Sequence, residues 1–229
     1  MTNIFTSNRK MADLIVECHK VILLLPRFGI EFGFGDKSVR EVCASCSVDE
    51  QLFLVVCNIY AHSDYLPENE CIESLPLNQL IQYLRLSHHY YRSQRLPHIE
   101  QHLHHLADGC TAKTGRVLRR FFYDYKEEVV KHFCYEEQIV YPYAELLLKR
   151  QGNKDFSIHQ YEEHHSNIED KLDDLKNIII KYLPGNSLPE ERTSMLFDLF
   201  QLSADLRLHN KIEEQLLVPM VKQLEQNGI

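Results

Sequence analysis

Two stretches carry one pattern: His132-Phe-Cys-Tyr-Glu136-Glu-Gln-Ile-Val-Tyr-Pro142 and His209-Asn-Lys-Ile-Glu213-Glu-Gln-Leu-Leu-Val-Pro219. Both read His-x3-Glu-Glu-Gln, three largely apolar residues, then Pro. They start 77 residues apart (209 − 132), room for one intervening helix plus loops. In an α-helix, residues four apart share a face, with Cβ atoms about 6 Å apart. Each copy can therefore aim an imidazole and a carboxylate at one point. Two such points facing each other supply two nitrogens and two bridging carboxylates, the makings of a dinuclear metal site inside a helix bundle. A single His-x3-Glu is usually a solvated helix face; repetition of the whole pattern argues against that. The second Glu of each pair, Glu137 and Glu214, is rotated about 100° from the first and is expected off the site.

Outward from the repeat, the chain reads as nearly all α-helix. Gly and Pro are scarce, eight each, and apolar residues recur mostly at helical spacing. A first helix is expected from about Ala12 to Arg27. The segment Phe28-Gly-Ile-Glu-Phe-Gly-Phe-Gly35 is a turn in which Gly29, Gly33 and Gly35 are free to take positive φ. Asp36 or Ser38 can cap a short helix reaching Cys43, and Ser47 or Asp49 the next, ending near His62. Ser63 to Pro76 reads as a linker. Four longer helices follow: about Leu77 to Ala107, with a kink or break at Pro97; Thr111 to Lys149, interrupted near Pro142 and closed by Gly152-Asn153; Ser157 to Tyr182; and Pro189 to Gln226. Leu183-Pro-Gly-Asn-Ser187 is the turn before the last. The expected fold is all-α, an up-down-up-down four-helix bundle over residues 71–229 behind a small helical N-terminal domain over residues 1–70.

Composition narrows the function. The chain has 229 residues, 44% of them hydrophobic, enough for a substantial core. Its 25 basic and 33 acidic residues give a net charge of −8, which argues against nucleic acid as a partner. No apolar run approaches the roughly 18 residues of a membrane span, and the N-terminus lacks a signal-peptide pattern, so a cytoplasmic protein with free thiols is expected. Cys43 and Cys46 form a C-x-x-C without the second pair of a zinc site, and read as structural. The thirteen histidines are the outlier, concentrated between 88 and 105 and recurring at 132, 159, 164, 165 and 209.

A dinuclear site needs donors from the other two helices. In the first bundle helix the candidates are His88 and His89: Ile81 and Leu84 are in phase with His88, Leu86 and Leu96 with His89. In the third they are His164 and His165. Ile168, Leu172, Leu175 and Ile179 fall at +3, +7, +10 and +14 from His165, a stripe that points it inward. His89 precedes His132 by 43 residues and His165 precedes His209 by 44, as in a duplicated helix pair. Imidazole with carboxylate suits iron, manganese or zinc, and bridging carboxylates favour a redox-capable pair.

The two motifs, each with Pro six residues after its Glu, resemble the hemerythrin-like (HHE cation-binding) domain. Leu80-Ile-Gln-Tyr-Leu-Arg-Leu-Ser-His-His89, running on to Leu96-Pro97, resembles the first helix of the iron–sulfur-cluster repair di-iron proteins, the YtfE/ScdA/RIC family. Phe28 to Cys43 resembles the small ScdA N-terminal domain. The resemblance implies a non-haem site of two irons, rather than manganese or zinc, held by His89, His132, Glu136, His165, His209 and Glu213. It also implies O2 or NO as small ligands, a role in nitrosative or oxidative stress, iron–sulfur proteins as partners, and a monomer or homodimer. A hemerythrin-like sensor or scavenger of O2 or NO is the alternative. Two departures stand out. Gly33-Phe34-Gly35-Asp36 replaces the family's Cys-Cys-Gly-Gly, and Asp108-Gly109-Cys110 stands where a His-Gly often follows the first bundle helix.

Overall fold

The computed structural model describes residues 4–151, 156–164, 168, 170–183 and 188–228. The fold is all-α, a four-helix bundle preceded by a helical N-terminal region, with no β-strand among the described residues. The N-terminal region holds α1 (Met11–Glu17), α2 (Val39–Ser45), α3 (Glu50–Ala61) and α4 (Asn69–Ser74). The bundle is built from α5 (Leu77–Tyr90) with α6 (Leu96–Asp108), α7 (Ala112–Tyr135) with α8 (Tyr141–Leu148), α9 (Ile158–His164) and α10 (Asp170–Lys181), and α11 (Pro189–Ile212) with α12 (Val218–Gly228).

Three of these helix pairs are joined by a single π turn: Tyr91–Arg95, Glu136–Val140 and Glu213–Leu217. Each ends two residues before a proline: Pro97, Pro142 and Pro219. In an α-helix a proline removes one hydrogen bond and its ring strikes the carbonyl four residues back. Those carbonyls belong to Ser93, Gln138 and Gln215, the middle residue of each π turn. An i→i+5 register lets them bond past the proline, so the helices continue through all three sites. The expected break at Pro97 and interruption at Pro142 are thus replaced by widened turns.

Two compact units are present: Met1–Ser87 with Tyr141–Glu163 and Leu208–Ile229, and His88–Val140 with His164–Arg207. In the first, Phe28 stacks on Tyr83 and meets Phe53 edge-on. The buried Asn58 amide accepts from the Phe5 N–H and donates to the Phe5 carbonyl, fastening the N-terminal strand of chain to α3. Glu225 of α12 accepts from Tyr143 (2.7 Å) and from the Ile158 N–H (2.8 Å), so it also satisfies an orphan donor at the start of α9. The second unit has a continuous core that includes Leu96, Ile99, Leu103, Phe122, Val129 and Phe133. Ile168, Leu172, Leu175 and Ile179 all join it, as the stripe in the third helix requires.

Ser38 caps α2 in a reciprocal box with Glu41, and Asp49 caps α3. Gly29, Gly33 and Gly35 all take positive φ (67°, 98° and 61°). Two expectations are corrected. The first helix stops at Glu17, Cys18 is extended, and the chain continues as 3-10 turns over His19–Leu23 and Pro26–Phe28. Pro26 is incompatible with a helix interior and opens the second of these turns instead. The linker holds a short helix, α4, which buries Ile72. The expected turn at 184–187 and the stop at Gly152-Asn153 lie outside the described residues.

Gly115, one turn into α7, packs against α6: a Cβ there would sit 2.6 Å from the Ala107 carbonyl oxygen. Gly→Ala in a helix ordinarily stabilises by about 1 kcal/mol. Here the clash is with backbone, so Gly115→Ala should destabilise by about 1–3 kcal/mol. Denaturant unfolding measures the sign, and a gain in stability would contradict this packing.

Candidate metal centre

Glu136 opens the π turn after α7 and is completely buried. Its two oxygens face different imidazoles. Oε2 lies 3.3 Å from Nε2 of His88, and Oε1 lies 3.1 Å from Nε2 of His132 on the preceding turn. Burial alone would raise this carboxyl; hydrogen bonds from His132 and then His88 outweigh it and hold the group well below the ordinary carboxylate range. The carboxylate is therefore the stable form, oriented with one oxygen for each side.

His88 is fixed from three directions. Its Nδ1 is 3.0 Å from Oε1 of Glu137, and Arg92, one turn on, grips both Glu137 oxygens at 2.8 and 3.1 Å. Its ring stacks on Phe133 at 4.0 Å between centroids, and Phe133 in turn stacks on Tyr91. The hydrogen bond from His88 holds Glu137 below its usual range, with Arg92 adding to it. A carboxylate on Nδ1 leaves Nε2 as the nitrogen for an electrophile, the arrangement of metal-bound histidines in general.

In the other unit, His209 and Glu213 repeat the geometry. Both are completely buried, with Nε2 and Oε1 3.5 Å apart across one turn. Oε1 of Glu213 also accepts from the buried Tyr141 hydroxyl at 3.0 Å. The Arg85 guanidinium lies 5.8 Å from the Tyr141 ring centroid, which favours a cation–π contact. Each unit thus carries a buried imidazole–carboxylate pair of the kind that holds a metal ion, His88 with Glu136 in one and His209 with Glu213 in the other.

Of the six residues expected at the site, the structure buries Glu136, His209 and Glu213 and sets His132 against Glu136. His89 is exposed, and its neighbour His88 takes the inward position. His165 lies outside the described residues. Three further residues contribute: Arg92 and Tyr141, which no motif marks, and Glu137. Glu137 was expected off the site because it is turned away from Glu136. That rotation carries it to the far nitrogen of His88, so it acts from behind the imidazole. The doubled Glu of the motif, with an Arg four residues after His88, was its available signal. Glu214, its counterpart, is exposed.

Glu137→Ala should therefore weaken metal binding by about 10- to 100-fold, the usual cost of losing a carboxylate behind a ligating histidine. Glu214→Ala should leave it unchanged. Metal content after dialysis against graded chelator separates the two. Equal behaviour of the two variants would remove Glu137 from the site.

Residues 79–221, well over half of the chain, match the model of the hemerythrin HHE cation-binding domain. No match was found among curated proteins. The matched span contains both His-x3-Glu motifs, all three π turns and both buried imidazole–carboxylate pairs, and the chain belongs to the hemerythrin HHE cation-binding family.

Proposed function

We propose that this chain is a non-haem di-iron protein whose metals are held by His88, His132, Glu136, His209 and Glu213, with a further imidazole from the third helix, His165 or His164. The observation that carries the reading is Glu136, a fully buried carboxylate presenting one oxygen to His88 and the other to His132. That is how a carboxylate shared between two ions is oriented. Calcium and magnesium prefer all-oxygen shells, and structural zinc prefers a closed four-coordinate site, so the donors suit a redox pair of iron or manganese, and the resemblance to the di-iron repair proteins favours iron. When bound, the iron pair supplies a redox-active centre for O2 or NO. The chain's own residues hold it in shape: Glu137 and Arg92 fix the His88 tautomer, Phe133 fixes its ring plane, and Tyr141 holds Glu213 by a hydrogen bond.

The role we assign is in the response to nitrosative or oxidative stress, linked to repair of damaged iron–sulfur clusters, in the cytoplasm. The resemblance to the repair proteins supports this, and no helix among the described residues is long and apolar enough to cross a membrane. A second reading, reversible O2 or NO binding as a sensor or scavenger without repair, is favoured by a specific feature. Gly33-Phe34-Gly35-Asp36 offers no vicinal thiols for thiol-dependent iron handling. The buried Cys43 is no substitute, because burial pushes its thiol up to about 12.

Protein purified without oxygen should contain about two irons per chain, as in other bundle-core carboxylate sites. His88→Ala should lose most of the metal and His89→Ala should keep it. One ion per chain, or greater loss from His89→Ala, would refute the assignment. Rapid bleaching or broadening of the optical and EPR signals by NO fits both readings. Recovery of activity by a nitrosylated iron–sulfur enzyme decides for repair, and reaction with NO without such recovery decides for the second.

A further inference from the structure

We propose a second metal site, independent of the buried centre, on the outer face of the bundle. It is formed by His98 and His102 of α6 and Asp198 of α11, and takes a borderline divalent cation, zinc foremost. All three residues lie in one compact unit. His98 and His102 are four apart, so both rings leave the same face of α6, with centroids 4.2 Å apart. Both address a single oxygen. Asp198 Oδ2 is 2.7 Å from Nδ1 of His102 and 3.6 Å from Nε2 of His98. Two ligand atoms each about 2.1 Å from a tetrahedral ion are about 3.4 Å apart, a value the two distances bracket.

The carboxylate is already prepared for this. Arg95 pairs with Asp198 Oδ1 at 3.1 Å and donates to the Asp198 carbonyl at 3.0 Å and to Gln201 at 2.8 Å. It fixes the carboxylate with Oδ2 turned to the imidazoles, as an outer partner orients a ligand. It also gives Asp198 a cationic partner apart from the imidazoles. Asp198 is 14% exposed, His102 38% and His98 46%: the anchor is covered and the imidazoles face solvent. An ion can enter without unfolding and retain water as its fourth ligand. Imidazole with one carboxylate suits zinc, copper or nickel, and a tetrahedral three-ligand set with water is a zinc arrangement. Bound there, the cation would clamp the first bundle helix to the fourth.

The test is zinc titration of the iron-loaded full chain by calorimetry, beside a His98→Ala/His102→Ala variant and a His102→Gln variant. Cobalt(II) absorption serves as a second probe of tetrahedral geometry. The parent should bind about one more zinc than either variant, with affinity at that site more than a hundredfold above theirs, beyond the cost of losing an outer partner alone. Zinc should raise the parent's thermal midpoint and not the variants'. His104→Ala, on the same helix but outside the cluster, should behave as the parent. His102 is half-buried and His102→Gln keeps a hydrogen-bonding side chain, so it carries the test if the double variant folds poorly. Equal zinc uptake and equal midpoint shifts in parent and His102→Gln would show that the cluster is an ion-pair network only and overturn the proposal.

Discussion

A carboxylate without access to water is the constraint around which this molecule is arranged. Glu136 is fully buried, and its desolvation would favour the neutral acid. The opposite holds because two imidazoles converge on it. That solution creates a second requirement. His88 faces a carboxylate with each nitrogen, Glu136 on one side and Glu137 on the other. Serving both as a donor takes a proton on each nitrogen; a metal on Nε2 leaves the Nδ1 proton for Glu137 and relieves the conflict. Glu137 in turn is anchored by Arg92 nearer the surface, so a chain of polar partners runs outward from the buried carboxylate toward solvent. Removing one member of such a chain leaves its neighbour buried and uncompensated, which costs more than the net worth of the pair.

The π turns connect this electrostatic arrangement to the backbone. Glu136 and Glu213 each open one, and a proline follows each turn at the same offset. The proline is tolerated because the ladder has already slipped to i→i+5 at the carbonyl it would have struck. In return, the slip changes the phase of every side chain beyond it. The glutamates are thus the last residues of a regular α-helical face before the register changes. The recurrent Glu-x5-Pro is a backbone device that places a carboxylate at a defect in the helix.

This phase change also marks where the sequence could be read and where it could not. Each His-x3-Glu pair ends on the first residue of its π turn, before the register has slipped, so four-residue spacing still sets its geometry. The caps at Ser38 and Asp49 and the positive φ of three glycines are local, and local chemistry foretells them. The choice between His88 and His89 was different. Ile81 and Leu84 lie before the π turn at Tyr91–Arg95 and point to His88. Leu96 lies beyond that turn, so its seven-residue spacing from His89 left the phase ambiguous, and the resemblance to the repair proteins then placed the ligand on His89. Counted from His88, the spacing to His132 is 44, the same as from His165 to His209. Arg92 and Tyr141 carry no signal, and Glu137 reads as off the site, because each acts on a neighbour from another helix or turn, and period alone does not reveal partners. Pro26 excludes a helix running on to Arg27, but α1 ends nine residues earlier, at Glu17, where the sequence carries no Gly or Pro to mark the stop.

The buried and the surface histidine clusters are made from the same two functional groups, and exposure separates their physics. Inside, a carboxylate that cannot reach water needs a partner at all times, and packing against Phe133, itself stacked on Tyr91, leaves the imidazole little freedom to retreat. Outside, Asp198 already has Arg95, and His98 and His102 can exchange its oxygen for solvent. The inner donors are therefore bound to the stability of the fold, while the outer ones respond to what the surroundings supply. Histidine enrichment in the first bundle helix serves both, because α5 and α6 run on through a π turn. The same composition is presented to the interior on one side of that turn and to solvent on the other.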